Sequence, residues 1–430
     1  MNRYVKKGGI LLFWLGVWTL LALAVDNRIL AVTPFETAAR LLQLPGEKDF
    51  WISVSRSFLR IATGFFAGLG AALLLAALSR RLPFFEELLS PVMKLIMAVP
   101  VASFAVLLLI WWGSSFLAVA VCFLVVLPGI YTNALEGLKA MDKKLLEMAG
   151  GFRLPFRSRF FYIYCPALKP FLCGSMKVAL GMCWKSGVAA EVIGIPDFSL
   201  GERIYMSKIY LDTAGVFAWS AVVILMSVLF EKLVLKLADL FFAWQPACRR
   251  PEQRRESCSD IVVENLEKSF GEQKVISGLK AVYRAGEIYY LRSPSGSGKT
   301  TLLHILAGIL KPDGGRISKP DTVSVMFQED RLCEEYSAVK NVELVCGDRS
   351  RAAEALAELL EPEALEKPCR QLSGGMKRRV ALVRAMEADS AFVLLDEPFT
   401  GMDEQTRGRA MEYIRRRQNG RTLIIATHIS

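Results

Sequence analysis

Residues 291–308, LRSPSGSGKTTLLHILAG, contain the residue types of a phosphate-binding loop between an apolar, strand-like EIYYL and a helical pattern. Glycine-rich turns let backbone N–H groups point at phosphates from the N-terminus of a helix. Lys299 would place a positive charge at the β- and γ-phosphates, and Thr300 would hold Mg²⁺. The pattern G-x-x-x-x-G-K-T is complete except at its first glycine, where Ser293 stands. Nucleotide affinity therefore depends on whether the backbone there needs a positive φ.

A pair of carboxylates follows a second apolar stretch. Residues 391–403, AFVLLDEPFTGMD, place five apolar residues before Asp396 and Glu397. A buried strand that ends in two adjacent carboxylates is suited to ligating Mg²⁺ with the first and activating water with the second. Many strands end in acidic residues without catalytic roles, so this pair is informative only together with the loop at 291–308.

Residues 371–379, QLSGGMKRR, join a Ser-Gly-Gly turn to a basic helical pattern. This stretch resembles the signature motif of the ABC ATPases. The resemblance implies that the serine and glycine N–H groups of one subunit close over the γ-phosphate of an ATP molecule held by a second subunit. It also implies an α/β P-loop ABC ATPase fold for residues 261–430.

The other motifs of that family occur in the order it requires. Gln328 in VMFQED matches the Q-loop glutamine, Asp403 in TGMD the D-loop aspartate and His428 in IIATH the switch histidine. Phe270 lies where these ATPases stack an aromatic ring on adenine, and an ordinary core phenylalanine is the alternative. The chain ends two residues after His428, where related domains continue, so we expect a domain that is either naturally short at its C-terminus or truncated there.

The resemblance implies three groups of residues that act on ATP and Mg²⁺. Those expected in catalysis are Glu397, His428 and Gln328. Those expected to contact the nucleotide are Phe270, Ser293, Ser295, Gly296, Ser297, Gly298, Lys299, Thr300, Thr301, Ser373, Gly374, Gly375 and Asp403. Those expected to hold the metal are Thr300, Gln328 and Asp396.

The first 245 residues have a different composition. The chain has a mean hydropathy of +0.34 and 53% hydrophobic residues, which is too apolar for a soluble protein of 430 residues. Uncharged runs long enough to cross a bilayer occur only in this part. We predict an all-α polytopic domain of six transmembrane helices, from the uncharged runs 8–25, 61–79, 95–135 (two helices around WWGSS) and 213–230, and from residues 170–195, which carry Lys177, Lys185 and Glu191.

Basic residues determine the predicted orientation. Six spans place both termini on one side, and most loop lysines and arginines fall there, among them Arg80, Lys143 and Lys144. By the positive-inside rule this side is the cytoplasm. Arg56 and Arg60 would lie at the outer end of the second span and reach the interface. The net charge of +11 follows from this topology, so no nucleic-acid partner is expected.

The first span is a signal anchor or, alternatively, a cleaved signal peptide.

The segment 136–169, between the fourth and fifth spans, mixes charged and aromatic residues with glycines and prolines. Glu147, Ala149, Arg153 and Pro166 keep the spacing of the EAA loop of ABC importer permeases, with Arg153 in place of the family's glycine. The resemblance implies short coupling helices that dock on the ATPase near the Q-loop. The alternative is an amphipathic helix that lies on the lipid surface.

The stretches RSFLRIATGFFAG and WKSGVAAEVIG resemble the permeases of the nitrate, sulfonate, taurine and bicarbonate type, which have the MetI-like membrane fold. That group also includes transporters of thiamine-precursor pyrimidines. The resemblance implies ATP-driven import of a small solute, such as one of these anions or pyrimidines.

The predicted domains are a permease at 1–245, a basic linker at 246–260 and an ATPase at 261–430. The fusion implies a homodimer of two permeases over two ATPases in the bacterial cytoplasmic membrane, with both termini and the ATPase in the cytoplasm. ATP and Mg²⁺ are the implied cofactors, and an extracytoplasmic solute-binding protein is the implied partner. An exporter half-transporter and a membrane-anchored ATPase that does not transport remain as alternatives.

Two charged residues in the fifth span are candidates for the solute path. A charged side chain in the hydrocarbon core of a bilayer has a high free-energy cost, so we expect Lys185 and Glu191 each to face a cavity or a partner. Lys185 would meet an anionic or polar solute or, equally, form an ion pair between spans. Glu191 is a candidate for the same path or for a structural contact.

Overall fold

The structure, a computed structural model, describes residues 3–25, 27, 29–246, 248, 258–292, 294 and 296–427. The chain divides into two compact units. The first is drawn from Met1–Ala140 and Ala167–Trp244, and the second from Met141–Pro166 and Gln245–Ser430. Most of the predicted coupling loop therefore belongs to the same unit as the predicted ATPase.

The first unit is built from helices. In chain order, the helices before the first strand are α1 (Arg3–Val25), α2 (Pro34–Gln43), α3 (Phe50–Arg81), α4 (Pro83–Ala98), α5 (Val101–Trp112), α6 (Ser114–Lys139), α7 (Lys143–Gly151), α8 (Phe156–Arg159), α9 (Cys165–Gly194), α10 (Leu200–Ile209) and α11 (Thr213–Ala243). Of these, α7 and α8 belong to the second unit. Capping boxes begin the two short helices α2 and α10, at Thr33 with Glu36 and at Ser199 with Glu202.

Most predicted spans correspond to helices that could cross a membrane. Among the described residues, α1, α3, α6 and α11 are long and apolar enough, and α4 with α5 is a fifth candidate if the pair is one span. The remaining predicted span, residues 170–195, lies in the 30-residue helix α9 except for Ile195, which follows the end of the helix. This helix is not among the apolar candidates, because it carries Lys177, Lys185 and Glu191.

The predicted hairpin at 95–135 is broken at two places. Gly113, with φ +74, separates α5 from α6, as WWGSS indicated. A second break, which was not predicted, lies between α4 and α5, which meet at 103°. Pro100 explains it, because proline disfavours the helical conformation in the preceding residue. Val99 is accordingly extended, with φ −81 and ψ 130.

Small residues bring α3 and α6 close together. Gly64, Gly68, Ala72 and Ala76 recur every four residues along α3, and all are buried. A Cβ atom at Gly64 would lie 2.6 Å from both the Cβ of Cys122 and the carbonyl oxygen of Val119 on α6. Such close backbone approach is how membrane helices gain packing energy where burial of apolar surface from water is absent.

The described residues of the second unit form two sheets. Its strands are β1 (Ile261–Phe270), β2 (Gln273–Tyr283), β3 (Ile288–Arg292), β4 (Gly314–Ser318), β5 (Val323–Met326), β6 (Phe392–Asp396) and β7 (Thr422–Thr427). Its later helices are α12 (Lys299–Leu306), α13 (Ala338–Cys346), α14 (Arg349–Ala357), α15 (Pro362–Leu365), α16 (Gly374–Glu387) and α17 (Glu404–Arg416). An antiparallel sheet has the order β2-β1-β4, and a parallel sheet has the order β3-β7-β6-β5.

The parallel sheet determines where the motifs lie. Every residue of β5, β6 and β7 is buried, as expected for strands covered on both faces. The phosphate-binding loop follows β3, Gln328 follows β5 and the carboxylate pair ends β6. Because the strands are parallel, these segments meet at one edge of the sheet.

We expect that the substitution Gly64→Ala destabilises the first unit, because the new methyl group would overlap α6. Overpacking of this kind costs about 1–3 kcal/mol. Gly70→Ala is the matched control, since a Cβ atom there has no neighbour within 4 Å in the described part of α3 and its surroundings. Thermal unfolding in detergent, followed by size exclusion, should show a lower midpoint for Gly64→Ala only. Equal midpoints would contradict the close packing of α3 on α6.

Candidate functional site: a nucleotide cavity and the coupling segment beside it

The described part of the predicted phosphate-binding loop contains two glycines in a left-handed conformation and leads into α12. Gly296 and Gly298 have φ of +81 and +86, and Gly298 is the N-cap of α12. At Gly298 a Cβ atom would also lie 3.0 Å from Cγ1 of Val275. The ammonium of Lys299 donates a hydrogen bond to the carbonyl oxygen of Pro294 at 3.0 Å. The loop thus presents backbone N–H groups and a cation at the N-terminus of a helix.

The carboxylate pair lies at the end of β6. Asp396 is 2% exposed; burial raises its pKa, and a hydrogen bond with Thr300 opposes that shift. Its Oδ2 atom has no hydrogen-bond partner in the described part of the chain. Glu397 has φ +49, a left-handed conformation that is strained for a residue with a side chain. Its amide donates to the carbonyl oxygen of Ala426 on β7 at 2.9 Å.

A single cavity of about 340 Å³ collects most of the predicted nucleotide residues. Its lining comprises Phe270, Val275, Gly296, Ser297, Gly298, Lys299, Thr300, Thr301, Gln328 and Glu397. The side chain of Phe270 is 51% exposed, so the alternative of a core phenylalanine is wrong. Val275 was not predicted, because a valine in a β-strand gives no signal of ligand contact. Ser293, Ser295 and His428 lie outside the described residues.

The predicted signature residues do not line this cavity. Ser373 is the N-cap of α16, where its Oγ accepts a hydrogen bond from the amide of Met376 at 3.3 Å. Ser373 and Gly374 are exposed, whereas Gly375 is partly buried. Asp403 caps α17 by accepting from the amide of Thr406 at 2.7 Å. The exposed N-terminus of α16 is therefore accessible to another molecule.

Arg378 connects three of the motifs, and sequence reasoning missed it. Its side chain is 5% exposed. The guanidinium donates to the carbonyl oxygens of Phe327 at 2.8 Å, Gln328 at 2.9 Å and Glu397 at 2.8 Å, and also to that of Asp396. One planar group on the signature helix thus fixes the ends of β5 and β6. Its only sequence signal was its place in the basic run QLSGGMKRR.

The coupling segment, residues 141–166, packs into the core of the second unit. Met148, Ala149, Phe152 and Tyr162 are buried in one cluster with residues of β5, α12 and α13. Arg384 is 1% exposed, lies over the ring of Phe152 at 5.4 Å, and has a pKa lowered by burial to about 10. This burial contradicts the alternative of a helix lying on lipid.

Two ion pairs connect α7 to the residues after Gln328. Glu147 Oε2 lies 2.8 Å from Nη1 of Arg331, whose side chain is 9% exposed and stacks over Phe327 at 3.9 Å. Lys144 Nζ lies 2.6 Å from Oε1 of Glu329, and both of those side chains are 53% exposed. In the first pair Arg331 is shielded from water whereas Glu147 is 42% exposed, and we expect this pair to contribute more than the second, which is exposed on both sides.

Arg153 occupies the position of the family's glycine with a glycine-like backbone. Its φ is +49, and its guanidinium donates to the carbonyl oxygen of Asp321 at 2.8 Å. The chain therefore keeps the left-handed turn that glycine would make easily and gains a contact to the strand that follows Asp321. After α8, Phe160–Tyr164 form a π-helical turn that leads into α9 with Pro166 in its first turn.

The start of the predicted linker is held by the coupling segment. The hydroxyl of Tyr162 donates to the carbonyl oxygen of Pro246 at 2.5 Å, and burial raises the pKa of Tyr162 to about 12. Its ring packs against Tyr336 and under the ammonium of Lys340, at 5.2 Å and 5.0 Å. Cys248 is 8% exposed in the same cluster. The part of the linker that the structure describes at this end is thus packed rather than extended.

In the first unit, Glu191 and Lys185 have different surroundings. Glu191 is fully buried; it accepts a hydrogen bond from Ser57 Oγ at 2.6 Å and lies 3.6 Å from Nη1 of Arg60. Arg60 therefore pairs with Glu191, a contact that was not predicted. The amide of Gly201 also donates to Glu191, at 3.3 Å. Glu191 has the contacts of a structural residue, whereas Lys185 is exposed.

Comparisons with known proteins agree with this geometry. The family model of the binding-protein-dependent transport system inner membrane component matches residues 64–241, and that of the ABC transporter matches residues 276–400. An aliphatic sulfonates import ATP-binding protein of Paraburkholderia xenovorans is 40% identical over 175 residues, which cover 39% of this chain and 70% of the relative. A Nod factor export ATP-binding protein I of Burkholderia lata is 40% identical, over 38% of this chain and 61% of that protein.

Among solved structures, a dimeric ATP-binding cassette in a post-hydrolysis state with ADP and phosphate matches at 28% identity and a TM-score of 0.36. That match covers 39% of this chain and 88% of the other.

A helical unit with the permease match and a P-loop unit with the ATPase match define a membrane transporter that hydrolyses ATP, and the chain belongs to the ABC transporter family. It is a binding-protein-dependent permease fused to its ATPase, a multi-pass inner-membrane chain whose activity is ATP-driven import. The match at 64–241 to the inner membrane component of a binding-protein-dependent transport system argues against the exporter alternative.

We expect that Glu147→Arg reduces transport more than ATP hydrolysis, because it places a second cation beside the poorly exposed Arg331. The double variant Glu147→Arg with Arg331→Glu restores the opposite charges and should recover part of the loss, although not the stacking on Phe327. Transport per ATP hydrolysed in proteoliposomes measures the effect. Lys144→Glu is the control, because exposed pairs contribute only about 0–1 kcal/mol. An equal loss in both single variants would contradict the importance of the shielded pair.

Replacing Arg378 should impair both stability and hydrolysis. Arg378→Lys retains the charge, but an ammonium group cannot donate hydrogen bonds to the carbonyl oxygens at both strand ends in the way the planar guanidinium does. Each buried carbonyl oxygen that loses its donor should lower the free energy of unfolding by about 1–3 kcal/mol. Unfolding of the full-length protein and its ATP turnover measure the two effects. Lys377→Arg, beside it on α16 and paired with the exposed Glu334, should change neither. An unaffected Arg378→Lys variant would show that the strand ends are held by other contacts.

Proposed function

We propose that two copies of this chain form one transporter that imports a small organic anion of the aliphatic sulfonate kind, delivered by an extracytoplasmic solute-binding protein. The relative from Paraburkholderia xenovorans is named for import of aliphatic sulfonates, which supports this class. An exposed lysine in α9 supports an anionic solute. Importers of this type work as dimers with a solute-binding protein, and the fusion of permease and ATPase favours two identical copies.

The observation that carries the proposal is the 340 Å³ cavity at the edge of the parallel sheet. Lys299 and the N-terminus of α12 supply the positive field for the phosphates of ATP. Phe270, half exposed at the rim, supplies a ring on which adenine stacks. Glu397 lies in the same cavity, so a nucleophilic water beside the γ-phosphate would be within reach of its carboxylate.

The residues fit Mg²⁺ without forming a complete metal site of their own. Among the described residues, no group of three or more His, Cys, Asp or Glu side chains could hold a metal. Asp396 forms a hydrogen bond with Thr300, and its buried Oδ2 atom has no hydrogen-bond partner in the described part of the chain. The Asp396 carboxylate and the Thr300 hydroxyl are the ligands expected of a Mg²⁺ site that ATP phosphates complete. Gln328 lines the cavity and could add a ligand when ATP is bound. When bound, the ion would neutralise charge on the β- and γ-phosphates.

In the proposed cycle, ATP in one chain's cavity is closed by the signature turn of the second. The exposed Ser373 and Gly374 would donate to the γ-phosphate in the partner subunit's cavity. Glu397 accepts the proton of the attacking water. ATP favours the closed dimer only to the extent that it binds the closed dimer more tightly than the open one.

The coupling segment is proposed to transmit closure to the permease. Glu147 and Arg331 join α7 to the residues after Gln328, which lines the ATP cavity. Movement of the Q-loop therefore moves α7, and α9 continues from the same segment. The basic residues of α7 and those near Arg80 support a cytoplasmic location for the termini and the ATPase.

The first test is ATP hydrolysis by the purified full-length protein in lipid nanodiscs. Glu397→Gln should lower turnover by about 10²–10⁴-fold, the usual contribution of a general base, while ATP still binds. Glu404→Gln, an exposed acidic residue on α17, is the control and should leave turnover unchanged. Ser293→Gly in parallel tests whether the loop is limited by its serine. Hydrolysis that persists in Glu397→Gln would overturn the assigned base.

A second test addresses the solute. Cells that lack their own sulfonate uptake should grow on an alkanesulfonate as the only sulfur source when they produce this chain with its solute-binding protein. Production of the Glu397→Gln variant is the control and should not support growth. Growth that is equal with and without the chain would contradict sulfonate import.

A further inference from the structure

One face of α9 is left uncovered by the rest of the first unit. Val178 and Met182 are 62% and 51% exposed, and Lys185 is exposed one turn further along. Spacings of four and three residues place the three side chains on the same helix face. None of the ion pairs in the described part of the chain includes Lys185. A cation within a membrane span needs polar or anionic surroundings, so this face does not meet lipid alone.

An apolar cavity lies beside this face. Its volume is about 130 Å³, and its lining comes from α4, α5, the break between them, α6 and Met182 of α9. All of the lining residues are uncharged, among them Val99, Val101 and Phe104. An apolar cavity of about 150 Å³ takes up benzene, so this one has room for a short hydrocarbon group.

The bend between α4 and α5 creates the cavity. Val99 and Val101 lie on either side of Pro100, at which the two helices diverge by 103°. The N-terminus of α5 has no side-chain cap, so the positive end of its dipole lies at the same break. Breaks of this kind in membrane helices are where transporters bind solutes.

We infer that this cavity and Lys185 form a solute site on the import path, specific for an anion with a short, uncharged aliphatic tail. Met182 lines the cavity, and Lys185 is about 4.5 Å further along the helix axis, so a tail in the cavity places its head group near the ammonium. The inference rests on the proposed import of organic anions and narrows it. Nitrate and bicarbonate have no tail, and taurine would place a cationic amino group in an apolar cavity, which is costly.

The test is equilibrium binding of radiolabelled butanesulfonate to the full-length protein in nanodiscs. We expect saturable binding with which nitrate, bicarbonate and taurine compete poorly. Lys185→Ala should weaken binding about tenfold or more, the scale of a hydrogen bond to a charged group, and Lys185→Arg should retain most of it. Met182→Trp, which fills the cavity, should weaken butanesulfonate binding about tenfold but leave competition by methanesulfonate unchanged.

Lys177→Ala is the matched control. It removes an exposed lysine of the same helix, eight residues or about 12 Å from Lys185, and should bind like the parent. Size exclusion confirms that each variant is assembled. Absence of binding to the parent, equal competition by nitrate, or unchanged binding in both Lys185→Ala and Met182→Trp would each overturn the site. Failure of the proposed import is seen separately, as growth on alkanesulfonate that does not depend on the chain.

Discussion

The guanidinium of Arg378 is the contact on which the nucleotide site depends. It lies on the helix that begins at the signature turn and donates to backbone carbonyl oxygens at the ends of β5 and β6. These strand ends carry Gln328 and the carboxylate pair. Because the group is almost fully buried, the carbonyl oxygens have no water to replace it. A displacement of α16 would therefore shift the strand ends that carry Gln328 and Glu397, two residues that line the proposed nucleotide cavity.

The same rigidity extends to the coupling segment. Arg384, six residues after Arg378 on α16, donates to the carbonyl oxygens of Asp330 and Arg331 at 2.8 Å each and lies over Phe152. Arg331 in turn stacks on Phe327 and pairs with Glu147. Arg384 and Arg331 thus join three elements: the signature helix α16, the segment after β5, and α7. Their guanidinium groups contact carbonyl oxygens, aromatic rings and the carboxylate of Glu147. Such networks transmit small shifts because packed interiors deform little.

Two charged residues of α9 in the permease unit, Glu191 and Lys185, have opposite surroundings. Arg60, Ser57 and Gly201 enclose Glu191 completely, which joins α3, α9 and α10. Lys185, only six residues earlier on α9, has no such enclosure and lies near the apolar space opened by Pro100. A buried charge with partners, such as Glu191, specifies how the helices around it are arranged. An exposed charge in a membrane span, such as Lys185, points to contact with a solute or a partner.

The sequence by itself determined the two kinds of domain, the phosphate-binding loop, the carboxylate pair and the signature turn, because these depend on local residue types at fixed spacing. It also predicted the break at Gly113 and the position of the coupling loop. It did not reveal Arg378, Val275 or the pairing of Arg60 with Glu191, since each joins residues that are distant along the chain. The angle at Pro100 and the cavity beside Met182 were likewise decided only by tertiary structure. A proline shows that a helix must break, but the packing of neighbouring helices decides its new direction and what space remains.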